Sequence, residues 1–148
     1  MDEEEEKALQ NIEKNGCHII HMPANDDYPS ITYSLGIEKS SGRPEIVVTG
    51  MDKDSAHFLI NEYNARIKDG EIFEEDKFYA DFLDEVDITF KTVDKKHYDH
   101  YFDWTQWLYD GFDFDALHLI WPDIDGAWPW EKKANKEYRK LMPRLYPF

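Results

Sequence analysis

Residues 117–130, Leu-His-Leu-Ile-Trp-Pro-Asp-Ile-Asp-Gly-Ala-Trp-Pro-Trp, constrain the fold more than any other part of the chain. An apolar run of strand formers meets a Trp-Pro-Asp corner. Pro122 lacks the N–H that would extend a ladder, so a strand has to end at Trp121. Asp125 and Gly126 then turn the chain, and Pro129 stiffens a second corner. Three of the five tryptophans fall in this one segment. Large amphipathic rings on fixed corners make it a preformed aromatic edge. Trp121 is expected to be largely buried, Asp123 to accept backbone N–H groups within the turn, and Gly126 to take a positive φ. Trp128 is expected to be the more exposed ring.

The remaining elements follow from periodicity. Residues 2–15 carry an Ala8, Leu9, Ile12 stripe and end at Gly16, which predicts an acidic N-terminal helix. Strands are predicted over 17–22, 31–37, 45–49, 88–93 and 116–121. Ser40-Ser41-Gly42-Arg43 is expected to be a hairpin-like turn. Asp52 is an N-cap for a helix whose Ala56, Leu59, Ile60, Tyr63 and Ile67 share one face, closed at Gly70. Residues 71–87 are expected to form a loop with a weak strand. An aromatic helix is predicted over 96–109 and a terminal helix over 131–142. These elements predict an α+β fold: one compact domain over 1–148, with a mainly antiparallel or mixed sheet of about five strands and three to four helices.

A chain of 148 residues is long enough to bury a core without staples, and an aromatic content of 16% supplies its volume. The single cysteine, Cys17, excludes an internal disulfide and favours a reducing, cytoplasmic setting. No apolar run approaches the roughly 18 residues of a membrane span. The opening Met-Asp-Glu-Glu-Glu-Glu is the reverse of a signal peptide's basic start. The formal charge is −15, distributed unevenly. Residues 131–148 hold six Lys/Arg against two Glu, a local +4, which leaves −19 for residues 1–130. Such an acidic body repels phosphate backbones and argues against nucleic acid as a partner. It would steer in a basic protein, although acidity also serves simple solubility.

No catalytic constellation is legible. His97 and His100 share a helix face and, with Asp94, Asp99 or Asp103, could approach a metal, but they lack a His-Glu-x-x-His pattern. His18 and His21 lie three apart on a strand and point to opposite faces. Cys17 sits in acidic surroundings that disfavour a thiolate, and reads as a buried structural residue. The acids at Asp84, Glu85, Asp87 and at Asp110, Asp113, Asp115 lack the spacing of a calcium loop. Gly36, Gly42 and Gly50 do not form a phosphate loop. Neither a metal site nor a cofactor is predicted.

Tyr33-Ser34-Leu35-Gly36-Ile37, Arg43-Pro44-Glu45-Ile46-Val47-Val48-Thr49-Gly50 and Leu119-Ile120-Trp121-Pro122-Asp123 resemble a bacterial family known as domain of unknown function 4262. Gly126, Pro129 and Trp130 complete the last motif. The resemblance covers about residues 16–130 as a family core. It leaves residues 1–15 and the basic tail, 131–148, outside, and it carries no catalytic residues to transfer.

Two functions are compatible with these features. The first is a small acidic binding protein, of the immunity type, that neutralises a basic toxin enzyme through aromatic residues ringed by acids. Its expected partner-binding residues are Tyr101, Trp104, Trp107, Asp103, Asp110, Asp113 and Trp128. The second is a small-molecule or cofactor-binding protein, or an enzyme, with an aromatic pocket formed by Tyr33, Ser34, Trp121, Asp123 and Trp130.

Overall fold

A computed structural model of the chain describes residues 2–147. Helix α1 (Glu3–Asn15) starts at Asp2, whose carboxylate accepts the Glu5 N–H at 2.8 Å, while the Glu5 side chain returns to the Asp2 N–H. Four glutamates in the first turn complement the positive end of the helix dipole. Gly16 closes the helix at φ 91°, and Ala8 and Ile12 form its buried stripe. Strands β1 (His18–Met22), β2 (Ile31–Leu35) and β3 (Glu45–Thr49) then make an antiparallel set.

The predicted turn at 40–43 is instead the end of a short helix, α2 (Ile37–Ser41), closed by Gly42 at φ 76°. Its start is fixed by a distant group, the Glu45 carboxylate described below. Helix α3 (Lys53–Lys68) begins at Asp52, which accepts from the Ser55 N–H. All five of its predicted apolar positions are buried. The weak strand expected within 71–87 is β4 (Phe78–Leu83), which pairs antiparallel with β5 (Val86–Thr92). The aromatic helix is broken in two, α4 (Tyr98–Tyr101) and α5 (Asp103–Tyr109), because Phe102 leaves helical geometry at φ −140°, ψ 45°. Phe102 turns edge-on to Phe114, on which the Tyr98 ring stacks at 4.5 Å. Strand β6 (Ala116–Ile120) and helix α6 (Lys136–Leu141) complete the chain, α6 being shorter than the sequence predicts.

The sheet is six-stranded and mixed, in the order β1-β2-β3-β6-β5-β4, with β3 and β6 parallel and every other pair antiparallel. Every residue of β2, β3 and β6 is buried, as expected of central strands covered on both faces. One face carries Ile46, Val48, Ile88, Phe90, Leu117 and Leu119 against α3. The other carries Ile31, Tyr33, Val47 and Ala116 under Tyr98, Tyr101 and Phe102. The far half of that second face is covered by α6, through Ile120, Ala127, Tyr138 and Met142. Gly50 makes α6 possible: its φ is 78°, and a Cβ there would meet the Leu141 Cβ at 2.5 Å.

The Trp-Pro-Asp corner folds as a hydrogen-bonded turn. Asp123 Oδ1 accepts the N–H groups of Asp125 and Ala127, and Oδ2 accepts that of Asn135 at 3.0 Å. These backbone donors hold the carboxyl below the ordinary carboxylate range. Gly126 supplies the positive φ at 85°. Trp121 and Trp128 are both half-buried, so neither is the open ring; that is Trp130, at 44% exposure. No helix among the described residues is long and apolar enough to cross a membrane.

Candidate functional site

Helix α5 is held to β2 by two hydrogen bonds, from Trp104 N–H to Tyr33 Oη at 3.0 Å and from Thr105 Oγ1 to the Ser34 carbonyl at 2.8 Å. That anchorage leaves Asp103, Trp107 and Asp110, at i, i+4 and i+7, on the solvent side. Trp107 is 38% exposed and meets the half-buried Trp104 edge to face at 5.7 Å. Asp2 and Glu5 of α1 approach from the opposite side. Together the five residues Asp2, Glu5, Asp103, Trp104 and Trp107 line an open notch of about 230 Å³. Among the described residues it holds three carboxylates, two tryptophans and no cation. Asp110 ends α5 at φ 56°, and Asp113 is exposed in the loop beyond. Tyr101, expected at this face, is instead 5% exposed and belongs to the core. Trp128 lies away from the notch, stacked on Trp130 at 5.7 Å and against Phe78 of β4 at 5.2 Å.

The residues expected to form a second, aromatic pocket are not gathered into one. Tyr33 and Ser34 are internal. Ser34 Oγ donates to Glu45 at 2.7 Å and accepts from the Ile46 N–H. Glu45 is itself fully buried and is the hub of this region. Its carboxylate accepts from Ser34, from Tyr109 Oη at 2.5 Å, and from the N–H groups of Gly36, Ile37 and Glu38. Burial pushes its pKa up, and the hydrogen bonds from Tyr109, Ser34, Glu38 and Ile37 oppose that shift. Its role is to start α2 and tie it to α5. Asp123 and Trp121 serve the corner, and only Trp130 opens on a cavity.

A trough of about 720 Å³ runs along the edge strand β1, lined by Lys7, His18, His21, Lys53, His57 and neighbouring asparagines. Burial and the nearby lysines lower the pKa of all three histidines. Cys17 at its base is pushed up to about 12, mainly by burial, so it is a thiol and not a thiolate. His100 lies against the Tyr28 ring at 3.9 Å, and His97 lies edge-on to Tyr101. Among the described residues, no group of three or more His, Cys, Asp or Glu side chains is placed to hold a metal ion.

A last opening lies where α6 and the basic tail fold over β6. His118, Ile120, Pro129, Trp130 and Arg139 line about 310 Å³ of it, with Met142, Arg144 and Tyr146. Trp130, Arg144 and Tyr146 also border a neighbouring cleft of about 420 Å³ that contains Asp76, Thr89 and Lys91. The Lys91 ammonium lies 5.0 Å from the Trp130 ring and 5.1 Å from that of Tyr146, and it pairs with Asp76. Arg144 lies over Tyr146 at 4.3 Å. His118 is 1% exposed and bonds Thr49 Oγ1 through Nε2 at 3.0 Å. Burial pulls its pKa down to about 3, so the imidazole is neutral.

A family model described as "Domain of unknown function (DUF4262)" matches residues 11–135, most of the chain. The chain belongs to the DUF4262 family. No curated protein and no solved structure matches it. Trp104, Trp107, His118 and Trp130 all lie inside the DUF4262 match, whereas Asp2, Glu5, Arg139, Arg144 and Tyr146 lie outside it. Sequence reading missed Glu45 and His118. Each had one visible signal, an ionisable residue set within an otherwise apolar strand.

Proposed function

We propose that this DUF4262 protein is a binding protein of the immunity type, which docks a basic protein, such as a toxin enzyme, on the face formed by α1 and α5. The observation that carries this reading is the notch of Trp104 and Trp107 ringed by Asp2, Glu5 and Asp103. Tryptophan is the side chain most enriched at energetic hot spots, and flanking carboxylates complement Lys and Arg on a partner. The −19 charge of residues 1–130 extends that field and speeds encounter with a cationic surface. Asp110, on the same side of α5, enlarges the acidic rim. Tyr101 and Trp128 drop out of the docking set because of where they lie.

The test uses the full chain as bait, co-expressed with the products of its neighbouring genes. The expected result is one basic protein retained at low salt, released by high salt, and lost with Trp107→Ala and Asp103→Asn variants that melt like the wild type. Retention undiminished in those variants, or no basic partner among the neighbours, would overturn the reading.

A further inference from the structure

The buried histidine beneath α6 has one nitrogen accounted for and one not. Thr49 Oγ1 lies 2.6 Å from the Leu141 carbonyl, a contact that requires the hydroxyl proton between them. Thr49 therefore has only a lone pair to offer His118, and Nε2 must be the protonated nitrogen. Nδ1 is left as a bare acceptor, buried and without a hydrogen-bond partner among the described residues. Buried polar atoms are rarely left unmatched, and His118 is one of the residues that line the opening beneath α6.

The charges nearby say what else that occupant carries. In a chain of net charge −15, the two adjoining openings bring together Lys91, Arg139 and Arg144, and among the described residues Asp76 is the one carboxylate lining them. Arg139 already donates to the Glu131 carbonyl, and Lys91 and Arg144 rest on aromatic rings, so the cations are held in place before anything binds. Trp130 and Tyr146 supply apolar walls.

We infer that the His118 cavity is a binding site for a small organic anion that bears a hydroxyl group. The hydroxyl donates to His118 Nδ1, and the carboxylate or phosphate meets the Lys91, Arg139 and Arg144 side. This site shares no residue with the α1–α5 notch and does not depend on the docking reading.

Titration calorimetry of the full chain with two matched pairs tests it: malate against succinate, and glycerol 3-phosphate against propyl phosphate. The hydroxyl-bearing member of one pair should bind at least about tenfold more tightly than its partner, as expected where a buried polar group is otherwise left unpaired. The pair that discriminates identifies the anion. Lys91→Gln and Arg139→Gln should each weaken that binding several-fold, and added salt should weaken it further. Nitrogen-detected NMR of the unliganded protein supplies a check that needs no variant: His118 should be the Nε2–H tautomer. A His118 protonated on Nδ1, or the absence of discrimination in both pairs, would overturn the assignment.

Discussion

Acidification should unfold this protein through His118 in a way that can be isolated. The imidazole is 1% exposed, and burial lowers its pKa from the usual 6.5 to about 3. The unfolded chain takes up a proton on this residue as the pH falls through 6.5, and the folded chain does not. Stability is therefore fully present above pH 6.5 and is lost progressively down to pH 3. The full shift corresponds to about 5 kcal/mol, and the part spent between pH 7 and pH 5 is about 2 kcal/mol. For a domain of this length that is a fall in Tm of roughly 4–8 °C. His18, His21, His57 and His97 are also lowered by burial and add in the same direction. The assay is therefore a double difference: calorimetric melts of the wild type and of His118→Gln at both pH values. The variant should lose about 2 kcal/mol less than the wild type over that interval. If the two lose stability in parallel, the imidazole is not buried neutral and the reasoning fails.

Glu45→Gln should destabilise by at least about 2 kcal/mol, because one acceptor oxygen becomes a donor facing other donors; denaturant melts and the near-ultraviolet signal of Tyr109 report it, and a neutral result would contradict the five-donor arrangement. Gly36→Ala should loosen α1, since φ is 103° there and a Cβ would meet Ile12 Cγ1 at 2.6 Å; hydrogen exchange along residues 3–15 should speed up. Trp121→Ala should cost about 3–5 kcal/mol and more than Trp128→Ala. Trp121 packs against both the α3 core and the α6 cluster, and Trp128 against the second alone. Melts that rank the two in reverse order would refute that packing.

What the sequence discloses here depends on how local the determining contacts are. The buried face of α3 is readable because Ala56, Leu59, Ile60, Tyr63 and Ile67 repeat with the helix period and need no partner to be recognised. The corner at Asp123 is readable because Asp, Gly and Pro act through their own backbone. Strand β4 is obscure because it lies at the sheet edge, where Phe78, Ala80 and Asp81 face solvent and the alternation is lost. Helix α2 is misread because Ser-Ser-Gly-Arg has turn chemistry, while the group that starts the helix, Glu45, arrives from another strand. The acidic tryptophan face is half legible: Asp103, Trp107 and Asp110 are spaced on one helix, but Asp2 and Glu5 join them only in the fold. The His118 cavity is assembled from β5, β6, the Pro129–Trp130 corner, α6 and the tail, so no window of sequence contains it.

Docking at the α1–α5 face is tested most directly by placing a photo-crosslinking phenylalanine analogue at position 107, with a matched probe at Phe58, an exposed ring on the opposite side of the sheet. With the neighbouring gene products present, the probe at 107 should yield one covalent adduct with a basic protein, suppressed by high salt, and the probe at 58 should yield none. An adduct formed from position 58 and not from 107 would contradict the account.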